Sequence, residues 1–410
     1  MSRTHYDVII VGAEFAGRIA ALLLARKGLR TLALFSPDFQ APASLPFSPV
    51  LESLVSGIDG NSCRRPAEKF QLITPEIRLD FNGPRPLAEE LQRELPGSGE
   101  QVLNCLKQLA DWGGRLETLL LQPGPAPALG LAGKLNFRRR LLFKGLAVKG
   151  LGQKLPTLLT GLTDNQAREV LLTLFAGLSL ADPLQLTIAE AALLWHIATQ
   201  PLAFDGPALL AVIDRRFQQF HGQSRSLSEI AAMQNRGKGL EHILFRDGCR
   251  LTARHFIVER MPDPPLWPSK LPSNFRTPTE PVQWKLEFHR PPSSLLAPQV
   301  ILAGSPPLVL TLAPSSGGAS IRWAGNRNMP PLDLCELRRR LVPILPFADY
   351  KVTRYQPEQS TFAISRYPNL FGPRRIGPNT LFCGTNTRDG AMVDIHGSMT
   401  GWQTAQAVLK

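Results

Sequence analysis

Residues 7–35 constrain this chain more than any other stretch. Asp7-Val8-Ile9-Ile10-Val11 is a short apolar run rich in β-branched residues, the pattern of a buried strand. Gly12-Ala13-Glu14-Phe15-Ala16-Gly17 follows at once, residues 19–24 read as a helix and residues 29–35 as a second strand. Strand, glycine turn, helix and strand in that order form the layout of a nucleotide-binding βαβ unit. Its turn is expected to read Gly-x-Gly-x-x-Gly. The middle glycine of that pattern is Glu14 here.

The rest of the chain is compatible with a globular protein built around that unit. At 410 residues it can bury a large core in two domains, and 43% hydrophobic against 19% charged residues is an ordinary globular balance. The first apolar run begins only after Asp7, so strand and turn explain it better than a signal peptide. No apolar stretch approaches the ~20 residues of a membrane span. Five scattered cysteines with no pair at metal-ligand spacing predict a reducing, cytoplasmic setting and no metal site. The net charge of +13 favours anionic partners, although no nucleic-acid motif is present.

Further along, residues 36–49 read as a proline-rich loop, residues 70–81 as a small hairpin, and residues 87–95 and 102–121 as helices. Residues 134–154 carry Lys134, Arg138, Arg139, Arg140, Lys144, Lys149 and Lys154 interleaved with leucine and phenylalanine, with no acid between Glu117 and Asp164. Such a segment can lie on an anionic membrane surface or cover the core as a solvated helix. Residues 164–216 are strongly helical, and His196 among them reads as a core histidine rather than a catalytic one. Asp205-Gly206-Pro207 starts a helix over 208–220, with Gly222 expected as its C′ residue. Strands are predicted at 227–233, 239–245 and 255–258, with Arg246-Asp247-Gly248 as a hairpin turn. After a proline-dense crossing at 261–281, strands at 282–289, 300–303, 308–313 and 320–324 continue an antiparallel sheet. A short helix at 332–341 follows, then a strand at 380–382 and a closing helix over about 398–409.

Three separated segments together resemble FAD-dependent oxidoreductases of the phytoene desaturase and amine oxidase type: residues 8–35, residues 211–259 with Arg246-Asp247-Gly248, and residues 379–409 with Gly384, Gly397 and Gly401. The resemblance implies an α/β protein. Its Rossmann-like FAD/NAD(P)-binding domain would comprise 1–80, 203–275 and 355–410. The inserted helical and antiparallel-sheet substrate domain would comprise 81–202 and 276–354. It also implies FAD, with the pyrophosphate over Gly12, Ala13, Glu14, Phe15, Ala16 and Gly17. A ribose contact would fall at Phe35 and Ser36, and a second phosphate contact at Gly384 and Thr385, near Gly397.

The sequence departs from that pattern three times, all around one ligand. Glu14 puts bulk and like charge where backbone should approach phosphate, Phe35 stands where an acid should accept ribose hydroxyls, and Thr385 stands where an aspartate should follow Gly384. Arg18 is a further candidate for phosphate or for solvent. Arg388, Asp389, Asp394 and His396 are candidates in a loop near the flavin ring, and Cys383 reads as a packed strand-end thiol. The resemblance leaves two functions open. One is an FAD-dependent oxidoreductase with an atypical, weakened flavin site acting on an apolar small molecule. The other is a cofactor-free relative acting as a binding or scaffold protein, with residues 134–154 touching an anionic membrane.

Overall fold

The computed structural model describes residues 3–36, 39, 44–120, 139, 148–179, 182–236, 239–259, 283–288, 296–304, 307–313, 318–323, 333–345, 350–355, 374–375, 379–383 and 391–409. Strand β1 (Arg3–Val11) lies inside an eight-stranded sheet among these residues. It pairs in parallel with β2 (Thr31–Phe35) on one side and with the strand Arg250–Val258 on the other. Gln223–Ser226 extends the sheet beyond β2, and Thr380–Phe382 extends it beyond Arg250–Val258, both in parallel.

Val8, Ile9, Ile10 and Val11 are completely buried, as expected for a strand covered on both faces. Val8 and Ile10 face helix α1 (Phe15–Arg26) and its neighbours Gly206–Gln219 and Ala391–Val408. Ile9 and Val11 face the antiparallel hairpin Ile230–Arg236 and Gly239–Phe245. The period-two alternation of side chains thus divides one apolar run between two cores.

A second sheet runs Tyr350–Tyr355, Gln283–Phe288, Gly318–Trp323, Leu308–Ala313, Gln299–Leu302, Phe70–Ile73, Arg78–Phe81. The hairpin at 70–81 therefore belongs here, not with the nucleotide sheet where the 1–80 segment placed it. Phe70, Leu72, Leu79 and Phe81 enter the core of the helical layer, and Phe81 meets Trp195 edge to face at 5.7 Å. That layer crosses Gly99–Leu120 over Ile188–Ala198 at Gly113, where a Cβ would come within 2.3 Å of the Ala192 carbonyl oxygen. At the same crossing His196 Nε2 lies 3.1 Å from Glu117 Oε2 and 3.2 Å from Gln200 Nε2, so this histidine has partners but is half-buried, not in the core as expected.

Several local expectations change. The helix Gly206–Gln219 is capped by Asp205, whose carboxylate accepts from Ala208 N–H at 2.8 Å, but residues 202–205 are also a short strand. At its far end the left-handed residue is His221 (φ +61°) and not Gly222. His221 N–H donates to Gln218 and Gly222 N–H to Phe217, a Schellman closure. Gly222 is needed instead because a Cβ would strike the Phe217 ring at 2.1 Å. Residues 44–46 form a strand inside the expected loop 36–49, and a helix, Pro49–Ser56, begins at its last residue. The strand expected at 227–233 opens with a 3-10 turn, and the closing helix starts at Ala391, seven residues early. Residues 261–281, and all of 134–147 except Arg139, lie outside the described residues.

Candidate functional site

The site is the mouth of the parallel sheet, where β1 turns into α1. Gly12 adopts φ +67°, the left-handed turn that its sequence position requires. Ala13 N–H donates to Leu34 at 2.8 Å and ties the turn to β2. Glu14 occupies the N-cap with φ −89° and ψ −133°, outside the ordinary strand and helix regions, and its side chain makes no capping bond. The turn forms here with Glu14 in the middle position, Gly12 supplying the left-handed residue and Gly17 the space for Glu259.

The residue that completes the turn is Glu259, which the sequence reading did not single out. Val11 and Val258 are partners in parallel register, so residue 259 leaves its strand level with Gly12, and Glu259 N–H donates to Val11 at 3.0 Å. Its side chain reaches across the mouth of α1. Oε2 accepts from Glu14 N–H at 2.6 Å and from Gly17 N–H at 2.7 Å, and Oε1 accepts from Ala16 N–H at 2.8 Å. These are the donors that a helix N-terminus offers to an anion. Gly17 makes the approach possible, since a Cβ there would lie 2.6 Å from Glu259 Oε2. Burial, and secondarily the Glu14 charge, push the Glu259 carboxyl up to about 8, against the opposing pull of its three N–H donors. Cys383, whose N–H donates to Val258 at 2.8 Å, is fully buried beside it. Burial, with Glu259 adding, holds its thiol well above the ordinary value.

The ribose end of the mouth is filled differently. Phe35 ends β2, and the Arg18 guanidinium lies over its ring at 4.3 Å and over the Phe39 ring at 5.6 Å. Arg18 also forms an ion pair with Asp214 from the helix Gly206–Gln219. It is therefore not a solvated helix residue: cation–π contact and ion pairing hold it against the sheet. Burial raises the Asp214 carboxyl above its usual value, while Arg18 acts in the opposite direction. Ser36 is buried at the end of β2, and its carbonyl accepts from Phe39 N–H at 3.4 Å.

The C-terminal candidates gather less. Gly384, Thr385, Arg388 and Asp389 lie outside the described residues. Asp394, His396 and Gly397 fall within the helix Ala391–Val408, not in a loop. That helix packs closely on α1, and a Cβ at Gly401 would come within 2.4 Å of the Ala16 carbonyl oxygen. Among the described residues no group of three or more histidines, cysteines or acids is placed to hold a metal, and no helix is long and apolar enough to cross a membrane.

Solved structures share this architecture over the whole chain. The cyclohexylamine oxidase of Brevibacterium oxydans matches with a TM-score of 0.58 and 16% identity over 98% of each chain. Putrescine oxidase bound to putrescine matches at 0.59 and 13%, over 100% of each. The chain has the fold of the FAD-dependent amine oxidases. An oxidoreductase from Methanosarcina mazei matches at 0.60 and 10% identity, over 98% of this chain and 99% of its own. No family model and no curated protein matches the sequence.

In the amine-oxidase fold the turn after the first strand is the place for a dinucleotide pyrophosphate, and the residues present here do not fit one. The N–H groups of Glu14, Ala16 and Gly17 already end on Glu259. A phosphate would have to enter beside two carboxyl groups, and Arg18 lies over Phe35, where the resemblance expects a ribose contact. One signal for Glu259 was present in the sequence, an acid directly after an apolar strand. Its meaning depended on that strand being the partner of β1.

Proposed function

We propose that this chain is a cofactor-free protein of the amine-oxidase fold that works by binding a partner, not by oxidising a substrate. One observation carries this reading: the Glu259 carboxyl takes the N–H donors on which a nucleotide phosphate would rest. Phosphate affinity at such a turn comes chiefly from unsatisfied backbone donors, and the chain's own carboxyl takes them. The alternative, a flavin oxidoreductase with a weakened site acting on an apolar small molecule, requires Glu259 to leave the turn. The excess positive charge of +13, and the run of basic and apolar residues at 134–154, support an anionic surface as the partner.

The test is the absorption spectrum of the purified protein, followed by titration with FAD. The expected result is a colourless protein that releases no flavin on denaturation and shows no saturable FAD binding at micromolar concentrations. Stoichiometric flavin would establish the oxidoreductase reading instead. For the partner, sedimentation with phosphatidylserine vesicles should fall steeply between low and high salt. Binding indifferent to lipid charge and salt would count against the electrostatic account.

A further inference from the structure

We infer that the Glu259 carboxyl is a built-in ligand of the Gly12–Gly17 turn, a tethered oxygen pair that stands in for phosphate and lets the nucleotide domain complete its fold without a nucleotide. The inference deepens the cofactor-free reading above and rests on it for its biological sense, though not for its test. Three converging N–H groups within 2.6–2.8 Å of two oxygens of one side chain reproduce the way a helix N-terminus receives an oxyanion. The parallel register Val11↔Val258 and the Glu259 N–H bond to Val11 fix where the tether starts. Gly17 leaves the space in which Oε2 sits, with only 2.6 Å to a hypothetical Cβ.

The three N–H groups belong to residues that are buried or half-buried at the junction of β1, α1 and the strand Arg250–Val258. Left without an acceptor they would be costly. In an enzyme of this fold a bound nucleotide meets that need at the price of depending on a ligand; here an intramolecular group meets it at very high effective concentration. The cradle is thus a latent oxyanion site that this chain's own carboxyl keeps filled.

Removing the tether should expose that site. Glu259→Ala should lower the Tm by several degrees, and millimolar inorganic pyrophosphate should restore most of the loss in a saturable manner. The wild-type protein, and both proteins in potassium chloride of equal ionic strength, should not respond. Glu259→Asp withdraws the carboxyl by one methylene and should show a smaller loss with the same pyrophosphate response, so it carries the test if the alanine variant does not fold. The inference is overturned if pyrophosphate stabilises neither variant, or stabilises wild type equally. The two readings fail separately, because flavin carried by the wild-type protein sinks the cofactor-free reading, whereas missing pyrophosphate rescue sinks this one.

Discussion

The two ends of the sheet mouth are both closed by the chain's own side chains, but by opposite physics. At the phosphate end a desolvated carboxyl, Glu259, sits near a second acid, Glu14, and is held only by backbone N–H donors. At the Phe35 end Arg18 pairs with Asp214, whose carboxyl is still raised above its usual value by burial, and the cation is stacked on Phe35. Burial raises both carboxyls, but the first has a like charge beside it and the second has a stacked cation. A cradle built for an anion stays costly when a protein acid fills it, because the donors favour negative charge while burial and Glu14 oppose it. A site built around ribose hydroxyls can instead be replaced by stacking and an ion pair.

This contrast can be broken at several points. Gly17→Ala should have the largest effect, about 2 kcal/mol of lost stability in denaturant unfolding, since its Cβ forces Glu259 off the turn. In a Glu259→Ala background that cost should fall by about 1 kcal/mol, and equal costs in both backgrounds would mean that Gly17 serves only its contact with Ile10. The pH response follows in size. Glu259 holds its proton more tightly folded, up to about 8, than its ordinary value of 4.5. Its contribution to stability is therefore complete below the unfolded value and is lost as pH rises through about 8. Thermal scans from pH 5 to 9.5 should show that decline in wild type and not in Glu259→Gln.

At the ribose end, Asp214→Ala should cost about 1 kcal/mol by leaving Arg18 without its acid, and should leave the pH decline intact. A flattened pH profile in that variant would merge the two ends into one electrostatic unit. The smallest effect belongs to Glu14→Gln, which removes the like charge. It should gain about 0.5 kcal/mol at pH 9 and almost nothing at pH 5, and a loss at pH 9 would show that the Glu14 side chain supports the turn.

Much of the nucleotide sheet was legible because local chemistry determines it. The run 8–11 has the length and branching of a doubly covered strand, Gly12 must turn left-handed, and Gly239–Phe245 with Arg246-Asp247-Gly248 is a hairpin by composition alone. The site was half legible. Glu14 and Phe35 were visible as departures from a spacing rule, and the structure shows what surrounds them: the Glu14 N–H is taken by Glu259, and Phe35 receives Arg18. Glu259 and Asp214 were not legible, because each acts on a residue more than 190 positions away. The hairpin 70–81 is legible as a hairpin, but its sheet is not, since its partner Gln299–Leu302 lies far along the chain.

By itself the sequence determined the βαβ opening, the helices and hairpins, and the positions where an ordinary nucleotide site was altered, all through interactions spanning a few residues. The tertiary structure alone decided which group meets the N–H donors of the Gly12–Gly17 turn. Parallel pairing sets residue 259 beside residue 12, and only that long-range register brings a carboxyl onto the free N–H groups of α1.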